Sequence, residues 1–421
     1  MIFKPLGTVA KIIAGQSPAS STYNSTGEGL PFFQGKADFQ EMHPTVRMWC
    51  TSLKRKEAEP DDVLISVRAP VGAVNICNKK SIIGRGLSAI RPSSNLNGLF
   101  LYYFLKANER QLDALGTGST FKAITQEILK RFEIPIPPFD DQKRIAHLLG
   151  KVEGLIARRK QHLQQLDDIL KSVFLEMFGD YIKDKQETDL ASYITTLTDY
   201  HANGSYETLR KNVELLTEPN FALMVRTTDL EKNNFSEGCN YITENAYNFL
   251  EKSKVFGGEI IVNKIGSAGK VYLMPHLNRP VSLGMNAFLI RFNKALNSVF
   301  AYYFLTSDIG TQRIHNLVQG AVTKTITKNA IRSIRIPIVH INLQNQFATV
   351  VEKIEGIKSR YQQSLTDLES LYGALSQKAF KGELDLSRVP LPTEGPEIAE
   401  DVKLEAEEKQ PNKKRAGTIN A

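Results

Sequence analysis

Two stretches of the chain carry apolar residues at alternating steps of three and four, the spacing that places one stripe of side chains along an α-helix. The first stripe is Leu149, Val152, Ile156, Arg159, Leu163, Leu166, Leu170, Val173 and Met177. The second lies 202 positions later and is Val351, Ile354, Lys358, Tyr361, Leu365, Leu368, Tyr372, Leu375 and Ala379. We call each stripe a seam. Two seams of equal length predict two long helices that pack together as a coiled coil; two separate amphipathic helices, each on its own domain, are the alternative.

Short apolar runs bounded by Gly, Pro, Asn and Asp precede each seam. "VLISV", "LSAIRP", "EIIVNKI" and "AFLIRF" are typical of strands. A short helix is predicted around Tyr102–Leu105 and again around Tyr302–Leu305. The pattern therefore predicts a compact α+β domain ahead of each long helix.

Most of the chain is one unit written twice. "GSTFKAITQEILKRFEIPIP" (118–137) is matched by "GAVTKTITKNAIRSIRIPIV" (320–339), which places Lys122 over Lys324. "DVLISVRAPVGAV" (62–74) corresponds to "EIIVNKIGSAGKV" (259–271), with Gly72 over Gly269. "GLSAI" (86–90) is aligned with "GMNAF" (284–288), "LYYFL" (101–105) with "AYYFL" (301–305), and "GKADF" (35–39) loosely with "RTTDL" (226–230). This is the duplication of a whole domain and its helix.

The repeat gives a five-part layout. We predict a first α+β domain over residues 1–140, a spacer helix over 141–180, a second α+β domain over 181–342, a second spacer helix over 343–382, and a flexible charged tail over 383–421. Asp140 or Asp141 is predicted to cap the first helix. Antiparallel packing of the helices avoids crowding both domains at one end.

Composition allows a polyanion partner without requiring one. The chain has 421 residues, 53 Lys and Arg against 45 Asp and Glu, and a formal net charge of +8. Its three cysteines, Cys50, Cys77 and Cys239, have no metal-ligand spacing, which favours reduced thiols and a cytoplasmic protein. No apolar run is long enough to span a membrane, and Lys4, Pro5 and Lys11 interrupt any signal-peptide core.

Catalytic motifs are not found. Each Gly-Lys pair is followed by Ala or Val, so the phosphate-binding G-x-x-x-x-G-K-[ST] motif is missing. "PPF" at 137–139 resembles part of an amino-methyltransferase motif, but Ile136 stands where a side chain must bond the exocyclic amine. Asp61 and Asp62 lack the acid-x-lysine of a metal-dependent nuclease, and the seven histidines are scattered. We expect no catalytic residue, no metal site and no cofactor bound by this chain.

At this point the residues carry a family resemblance. The paired "GSTFKAITQEILKRF…" and "GAVTKTITKNAIRSI…" blocks, the "VRAPVGAV" and "KIGSAGKV" turns, and the seam helices resemble the specificity (S) subunits of type I restriction–modification systems over about residues 1–382. The resemblance implies two target-recognition domains that each read half of a bipartite, asymmetric DNA site. It implies helices that set the gap between the half-sites and dock two methyltransferase subunits, with restriction subunits as further partners. S-adenosylmethionine, ATP and Mg²⁺ are implied for those partners.

The layout also suggests a physical role for the helices. From Leu149 to Met177 is 29 residues, or roughly 43 Å at about 1.5 Å per residue. One turn of B-DNA is about 34–36 Å. Two domains on such a rod can contact two major-groove segments about one turn apart, and the divergence of the repeats predicts an asymmetric site.

DNA contacts need Lys, Arg and backbone amides exposed at glycine turns. Candidates share a position beside such turns and are Lys36, Arg68, Arg85 and Lys122 in the first domain and Arg226, Lys264, Lys270 and Lys324 in the second. Arg159 and Lys358 inside the seams are expected to fix register or bond a partner subunit. A self-contained methyltransferase–nuclease and a protein scaffold with incidental basic charge are the alternative functions. The target sequence is not readable from these residues.

Overall fold

The computed structural model describes residues 2–118, 122–184 and 186–392. The chain divides into two compact units: unit 1 comprises residues 1–158 and 364–421, and unit 2 comprises residues 159–363. The part of the predicted tail beyond residue 392 lies outside the described residues.

Unit 1 begins with an α+β domain of short strands and short helices. Its strands are Phe3–Pro5, Ala10–Ala14, Tyr23–Asn24, Leu30–Phe33, Trp49–Cys50, Glu57–Ala58, Val63–Ser66, Val74–Ile76, Ser81–Ile83, Leu87–Pro92 and Glu133–Pro135. Its α-helices are Leu6–Val9, Gly98–Ala107, Glu109–Ala114 and Gln126–Arg131, with 3₁₀ turns at Ser20–Thr22 and Lys36–Asp38.

Two larger sheets and a two-stranded ribbon form this domain. An antiparallel sheet has the strand order Ala10–Ala14, Leu87–Pro92, Val63–Ser66, Val74–Ile76. A mixed sheet contains Leu30–Phe33 and Ser81–Ile83 as a parallel pair. A two-stranded ribbon joins the first strand of the domain to its last. The ribbon brings the start of the chain to the point where the long helix begins.

The strand Val63–Ser66 is buried on both faces because a different core covers each one. Val63 and Ile65 belong to the core that contains the helix Gly98–Ala107, whereas Leu64 belongs to the core shared with the mixed sheet. Alternate side chains of a strand point to opposite faces. A continuous apolar run is therefore required here, and "VLIS" supplies it.

Unit 2 repeats this architecture. Its strands are Glu187–Asp189, Ile194–Asp199, Ala222–Val225, Asn240–Ile242, Lys254–Val255, Ile260–Asn263, Val271–Leu273, Val281–Leu283, Ala287–Phe292 and Arg335–Pro337. Its short α-helices are Tyr206–Asn212, Thr227–Lys232, Glu244–Phe249, Ser298–Thr306, Asp308–Leu317 and Lys328–Arg332, and its 3₁₀ turns are Leu190–Ser192, Tyr200–Asn203 and Glu251–Ser253. The antiparallel sheet again has four strands in the equivalent order.

Strand pairing corrects one alignment made from the sequence. Leu87 pairs with Ser66 in unit 1, and Ala287 pairs with Asn263 in unit 2, so the two strands correspond at an offset of 200. The alignment of "GLSAI" with "GMNAF" is therefore wrong by two residues. The register follows the backbone pairing and not the loose similarity of the letters. Arg91 and Arg291 then coincide, and each pairs with a carboxylate at the start of the neighbouring strand.

The two long helices are Phe139–Lys183 and Ile341–Lys381. In unit 1, Ile145 and Leu149 share a core with Ala379 and Phe380. In unit 2, Phe178 near the end of the first helix lies 5.4 Å from Phe347 near the start of the second, measured between ring centroids. In each unit, early residues of one helix thus pack on late residues of the other, which confirms the predicted antiparallel pairing.

Every predicted seam position is buried or half-buried. The helix begins at Phe139, so Asp140 and Asp141 lie inside its first turn and neither precedes it as a cap. The domain bounds predicted at 140, 180, 342 and 382 stay predictions. The α+β class of both domains is confirmed.

A buried glutamine fixes the start of each long helix to its domain. Gln142 is 0% exposed; its side-chain oxygen accepts from the Asn97 amide at 2.8 Å, and its nitrogen donates to the Asn95 and Pro137 carbonyls, each at 3.0 Å. Gln344 is 1% exposed and makes the same three bonds. The equivalence of 142 and 344 was visible in the sequence, but the role of the amide was not.

The segment after the second helix does not start as a flexible tail. Leu384 and Leu386 pack against the core of unit 1, and Arg144 donates to the carbonyl of Val389 at 2.9 Å. The prediction of a tail from residue 383 is therefore wrong for these first residues. Two spaced leucines supply enough apolar surface to dock a short segment, although its surroundings are charged.

Candidate nucleic-acid interface

Four loops meet at one end of the sheets in unit 1. Gly84 donates to the carbonyl of Phe33 at 2.8 Å, and Val67 donates to the carbonyl of Gly86 at 2.9 Å. Ile124 in turn donates to the carbonyl of Val67 at 3.0 Å. We call the residues 34–36, 67–72, 84–86 and 122–124 loop cluster 1.

Glycine is required where these loops touch. A side chain at Gly86 would place its Cβ 2.3 Å from the carbonyl oxygen of Gln34. Gly72 has a φ of +94°, and a Cβ there would lie 2.8 Å from the carbonyl oxygen of Glu109. Only glycine fits both the backbone conformation and the close approach. Gly72 in the "VRAPVGAV" turn is therefore required by the close packing of this turn against the helix Glu109–Ala114.

Unit 2 contains the same arrangement. Gly284 donates to the carbonyl of Val225 at 2.8 Å, Lys264 donates to that of Asn286 at 2.7 Å, and Ile326 donates to that of Lys264 at 3.1 Å. We call the residues 226–229, 264–269, 284–286 and 324–326 loop cluster 2. Every one of the eight cations selected from the sequence lies in these two clusters or next to them.

Four of those cations have no acidic partner among the residues that the structure describes: Lys36, Arg68, Arg85 and Lys324. All four are exposed. In loop cluster 1, the contacts above bring the loops of Lys36, Arg68 and Arg85 together. Exposed cations beside backbone amides are the groups that phosphate oxygens bind in protein–DNA complexes.

The other four cations are already paired. Lys122 contacts Asp113 at 2.7 Å, and Lys270 contacts Glu231 at 2.8 Å. Hydrogen bonds from Lys270 and Tyr272 hold the pKa of Glu231 below its ordinary value. Exposed pairs of this kind contribute little to stability, so both lysines can exchange a carboxylate for a phosphate.

Arg226 and Lys264 are held more firmly. Arg226 contacts Asp229 at 2.6 Å and also donates to the carbonyl of Gly238 at 2.6 Å, while the amide of Arg226 donates to Asp229 at 2.8 Å. These bonds fix the start of the helix Thr227–Lys232, which favours a structural role for Arg226. Lys264 contacts Asp199 at 3.0 Å.

The sequence reasoning missed two residues beside loop cluster 2. Lys328 begins the helix Lys328–Arg332 and contacts one carboxylate oxygen of Asp199 at 3.2 Å. Lys264 contacts the other oxygen. The Ile-Thr helix entry at 326–327 could have pointed to Lys328, which follows it directly. Asp199 gave no local signal, because it ends the strand Ile194–Asp199, in which four of the six residues are polar.

The charged seam residues lie in unit 2 and have defined partners. The guanidinium carbon of Arg159 lies 4.3 Å from the ring centroid of Tyr361, which is the equivalent position of the other helix. Lys358 contacts Asp167 and Glu355, each at 2.7 Å. Burial opposes the charge of Lys358, but these two hydrogen bonds hold its pKa above the ordinary value. Such contacts fix the register of a helix pair.

Within the described ranges, no group of three or more His, Cys, Asp or Glu side chains is arranged to hold a metal ion. Cys50, Cys77 and Cys239 are buried free thiols, and burial raises the pKa of Cys77. Among the described residues there is no helix both long and apolar enough to cross a membrane.

The fold and the two loop clusters define a tandem-repeat protein, with one α+β domain and one long helix in each repeat. The sequence family described as "Type I restriction modification DNA specificity domain" matches the chain twice, over residues 2–167 and 201–367. The chain belongs to this family.

Relatives agree with this assignment. The chain is 42% identical over 164 residues to the putative type I restriction enzyme MjaX specificity subunit of Methanocaldococcus jannaschii, an alignment that covers 39% of this chain and 38% of that protein. The chain thus aligns with less than half the length of that relative. It is 19% identical to the type I restriction enzyme EcoBI specificity subunit of Escherichia coli, over 90% of this chain and 85% of that protein.

A solved structure shares the fold. The S subunit of a type I restriction–modification system from M. genitalium superposes with a TM-score of 0.56 at 16% identity and covers 90% of this chain and 96% of that chain. At this identity the likeness concerns the fold alone.

Proposed function

We propose that this chain is the DNA sequence-specificity subunit of a type I restriction–modification complex, and that it is itself not catalytic. The observation that carries the proposal is the duplication of the loop cluster. Each unit presents cationic loops at the equivalent end of its own four-stranded sheet. Membership of the specificity-domain family and the names of the relatives support it. Double-stranded DNA is the ligand, and each unit reads one half of a bipartite site.

Divergence between the clusters supports an asymmetric site. Loop cluster 1 carries Arg68 and Arg85, whereas the equivalent positions 265 and 285 are isoleucine and methionine. Two units with different side chains at equivalent positions read different bases. Lys122 and Lys324 are equivalent in both clusters and suit phosphate contacts that both half-sites share.

Selection from a random duplex library tests this function. The full chain is bound together with its methyltransferase subunits, and the enriched duplexes are sequenced. We expect two short, different motifs at a fixed gap. Replacing Arg68 and Arg85 with alanine is expected to erase the preference at one motif and leave the other intact. A single contiguous motif, or no motif at all, would rule the proposal out.

The long helices set the gap between the half-sites in this proposal. Their lengths, 45 and 41 residues, support a rod of about 60 Å at about 1.5 Å per residue. Inserting one heptad at the same level of both helices keeps the seams in phase and lengthens the rod by about 10 Å. The preferred gap is expected to grow by about three base pairs, at roughly 3.4 Å each. An unchanged gap would contradict the role of the helices as a spacer.

Methyltransferase subunits dock on the helices, one on each unit. Leu155 and Leu371 are 48% and 46% exposed on the helical part of unit 1. Their equivalents in unit 2, Ile357 and Ile169, are half-buried and 47% exposed. Matched apolar side chains on both units support two similar docking surfaces, and restriction subunits are further partners. S-adenosylmethionine, ATP and Mg²⁺ belong to these partners.

Negative charge introduced on the apolar surface of unit 1 tests the docking surfaces. The double variant Leu155→Glu and Leu371→Glu is expected to bind one methyltransferase subunit where the native chain binds two, measured by native mass spectrometry. Lys151→Glu, on an exposed position of the same helix, controls for the added negative charge and should leave two bound. Retention of both subunits by the double variant would place the docking surface elsewhere.

A further inference from the structure

A carboxylate lies between two lysines beside loop cluster 2. Asp199 ends the strand Ile194–Asp199 and is 7% exposed. One oxygen of Asp199 accepts from the Lys264 ammonium at 3.0 Å, and the other accepts from the Lys328 ammonium at 3.2 Å. Both ammonium groups lie over the ring of Phe288, 5.3 and 5.7 Å from its centroid. One buried acid and one ring therefore hold two cations side by side.

Among the residues that the structure describes, unit 1 has no counterpart of this cluster. Leu197 pairs with Ile290, and Ile12 pairs with Ile90, so Asp199 corresponds to Ala14. By the same reasoning, Lys264 and Lys328 correspond to Val67 and Gln126, of which Gln126 donates to the backbone carbonyl of Ile12 at 2.8 Å. Within the described ranges, the cluster is found in unit 2 and not at the equivalent positions of unit 1.

The cluster is charged, and it keeps donors for a ligand. Burial alone would raise the pKa of Asp199, but the hydrogen bonds from both lysines hold it below the ordinary value. The three groups together carry one net positive charge. Each ammonium has three N–H donors, of which the described structure uses one, and the two lysine side chains keep 29% and 34% of their surface exposed.

We propose that Asp199 is a positioning residue for DNA recognition by unit 2: it holds Lys264 and Lys328 as a fixed pair of donors for adjacent acceptor oxygens of the target duplex. The proposal depends on the DNA-binding function proposed above. Ordering the lysines before binding lowers the entropy lost when they meet acceptors in the correct geometry. In a complex with a non-target duplex, where the geometry is poorer, Asp199 competes with the phosphates for the two lysines. The lysines then contribute less to the affinity.

If Asp199 has this role, its loss changes the affinity for the specific duplex and the affinity for non-specific duplexes differently. In Asp199→Asn, one negative charge is lost and the two lysines are no longer held. We expect affinity for the selected duplex to fall about tenfold, while affinity for a scrambled duplex stays equal or rises up to about threefold. The slope of log K against log salt for the scrambled duplex should steepen by up to about 0.9. A purely structural role would lower both affinities together.

The experiment measures both affinities for the full chain with its methyltransferase subunits, across a salt series. Glu259→Gln is the matched control, because Glu259 is 5% exposed and pairs with Arg291. Glu259 precedes the strand Ile260–Asn263, whereas Lys264 follows it at the other end. We expect that control to leave the ratio of specific to non-specific affinity unchanged. An unchanged ratio in Asp199→Asn, or an equal loss of both affinities, would overturn the proposal.

A second variant decides the matter if Asp199→Asn does not fold. Lys328→Gln introduces the residue that unit 1 has at this position, and it leaves Lys264 paired with Asp199. Specific affinity should fall several-fold, with non-specific affinity nearly constant; equal losses would refute the positioning role.

Replacing guanine with 7-deazaguanine in the half-site read by unit 2 shows whether the lysines bind guanine acceptors or phosphate acceptors. Failure of the native chain to prefer any duplex would instead refute the proposed function.

Discussion

The junction between domain and helices differs between the units: unit 1 adds a polar network around Glu153 to its ring contacts, whereas unit 2 relies on a cluster of aromatic rings. In unit 1, the hydroxyl of Tyr103 donates to Glu153 at 3.0 Å, and Lys106 bonds the same carboxylate. Burial opposes the charge of Lys106, but Glu153 holds its pKa above the ordinary value. Tyr372 of the second helix packs against this core.

Unit 2 replaces that network with rings that pack edge to face. Phe178 lies 4.7 Å from Phe300, Phe174 lies 5.4 Å from Phe347, and Tyr303 lies 5.0 Å from Phe347, measured between centroids. Position 306, which corresponds to Lys106, is threonine. The same backbone arrangement is thus held by two kinds of side-chain contact. What the two units share is the volume and burial of these positions, since a core tolerates changed chemistry if volume and pattern are kept.

The largest expected contrast is between two equivalent phenylalanines. Phe178 is 0% exposed within the ring cluster, whereas Phe380 is 9% exposed and contacts only Phe100 and Phe104 among the described rings. Phe178→Ala is expected to destabilise unit 2 by about 4–5 kcal/mol, and Phe380→Ala to destabilise unit 1 by about 3 kcal/mol. Hydrogen exchange read by mass spectrometry assigns each loss to its unit. Leu175→Ala, 59% exposed on the same helix, is the control; a larger loss for Phe380→Ala would contradict this order.

A smaller and equal effect is expected at the two buried glutamines. Gln142→Ala and Gln344→Ala each leave one backbone amide and two carbonyls without a partner, so each should cost about 2–3 kcal/mol. Chemical denaturation with hydrogen exchange measures the loss in each unit. Gln164→Ala removes an exposed glutamine whose described hydrogen bond goes to Asp168 in the same helix, and it should change stability little. Clearly unequal losses at 142 and 344 would show that the two junctions are not equivalent.

The smallest expected effects concern DNA affinity. Lys36→Ala in loop cluster 1 and Lys324→Ala in loop cluster 2 should each weaken binding about five- to tenfold and reduce the salt slope by about 0.9, because each removes one phosphate contact. Fluorescence anisotropy over a salt series measures both quantities. Lys79 and Lys294 are exposed at the opposite ends of their sheets, and alanine there should leave affinity and slope unchanged. A similar loss at Lys79 or Lys294 would mean that overall charge, and not the loop clusters, governs binding.

Local spacing was enough to predict the repeated elements. "LSAIRP" and "AFLIRF" coincide with the strands Leu87–Pro92 and Ala287–Phe292. The two seams lie within the two long helices. These predictions succeeded because a short apolar run bounded by turn residues, or a seam with steps of three and four, is set by neighbours along the chain. The alignment of 86–90 with 284–288 failed because similarity over five letters is weaker than strand register.

Only part of the candidate interface could be predicted from the sequence. Glycine and lysine positions pointed to the loops, and the duplication showed which loops correspond. No local pattern indicated that Arg226 would be held by Asp229, or that Gln142 would be buried at the junction. It also did not indicate that Leu384 and Leu386 would pack on unit 1, since their neighbours are charged and the segment has no period.

By itself, the sequence determined that one α+β domain and one helix occur twice, because hydrophobic period and repetition are properties of the chain read in order. Only the tertiary structure decided which cations stay available and which are held by an acid. Lys264 lies 65 positions from Asp199, and Lys328 lies 129 positions from it. Such partners meet only after the strands have paired and the loops have closed, so no local pattern specifies them.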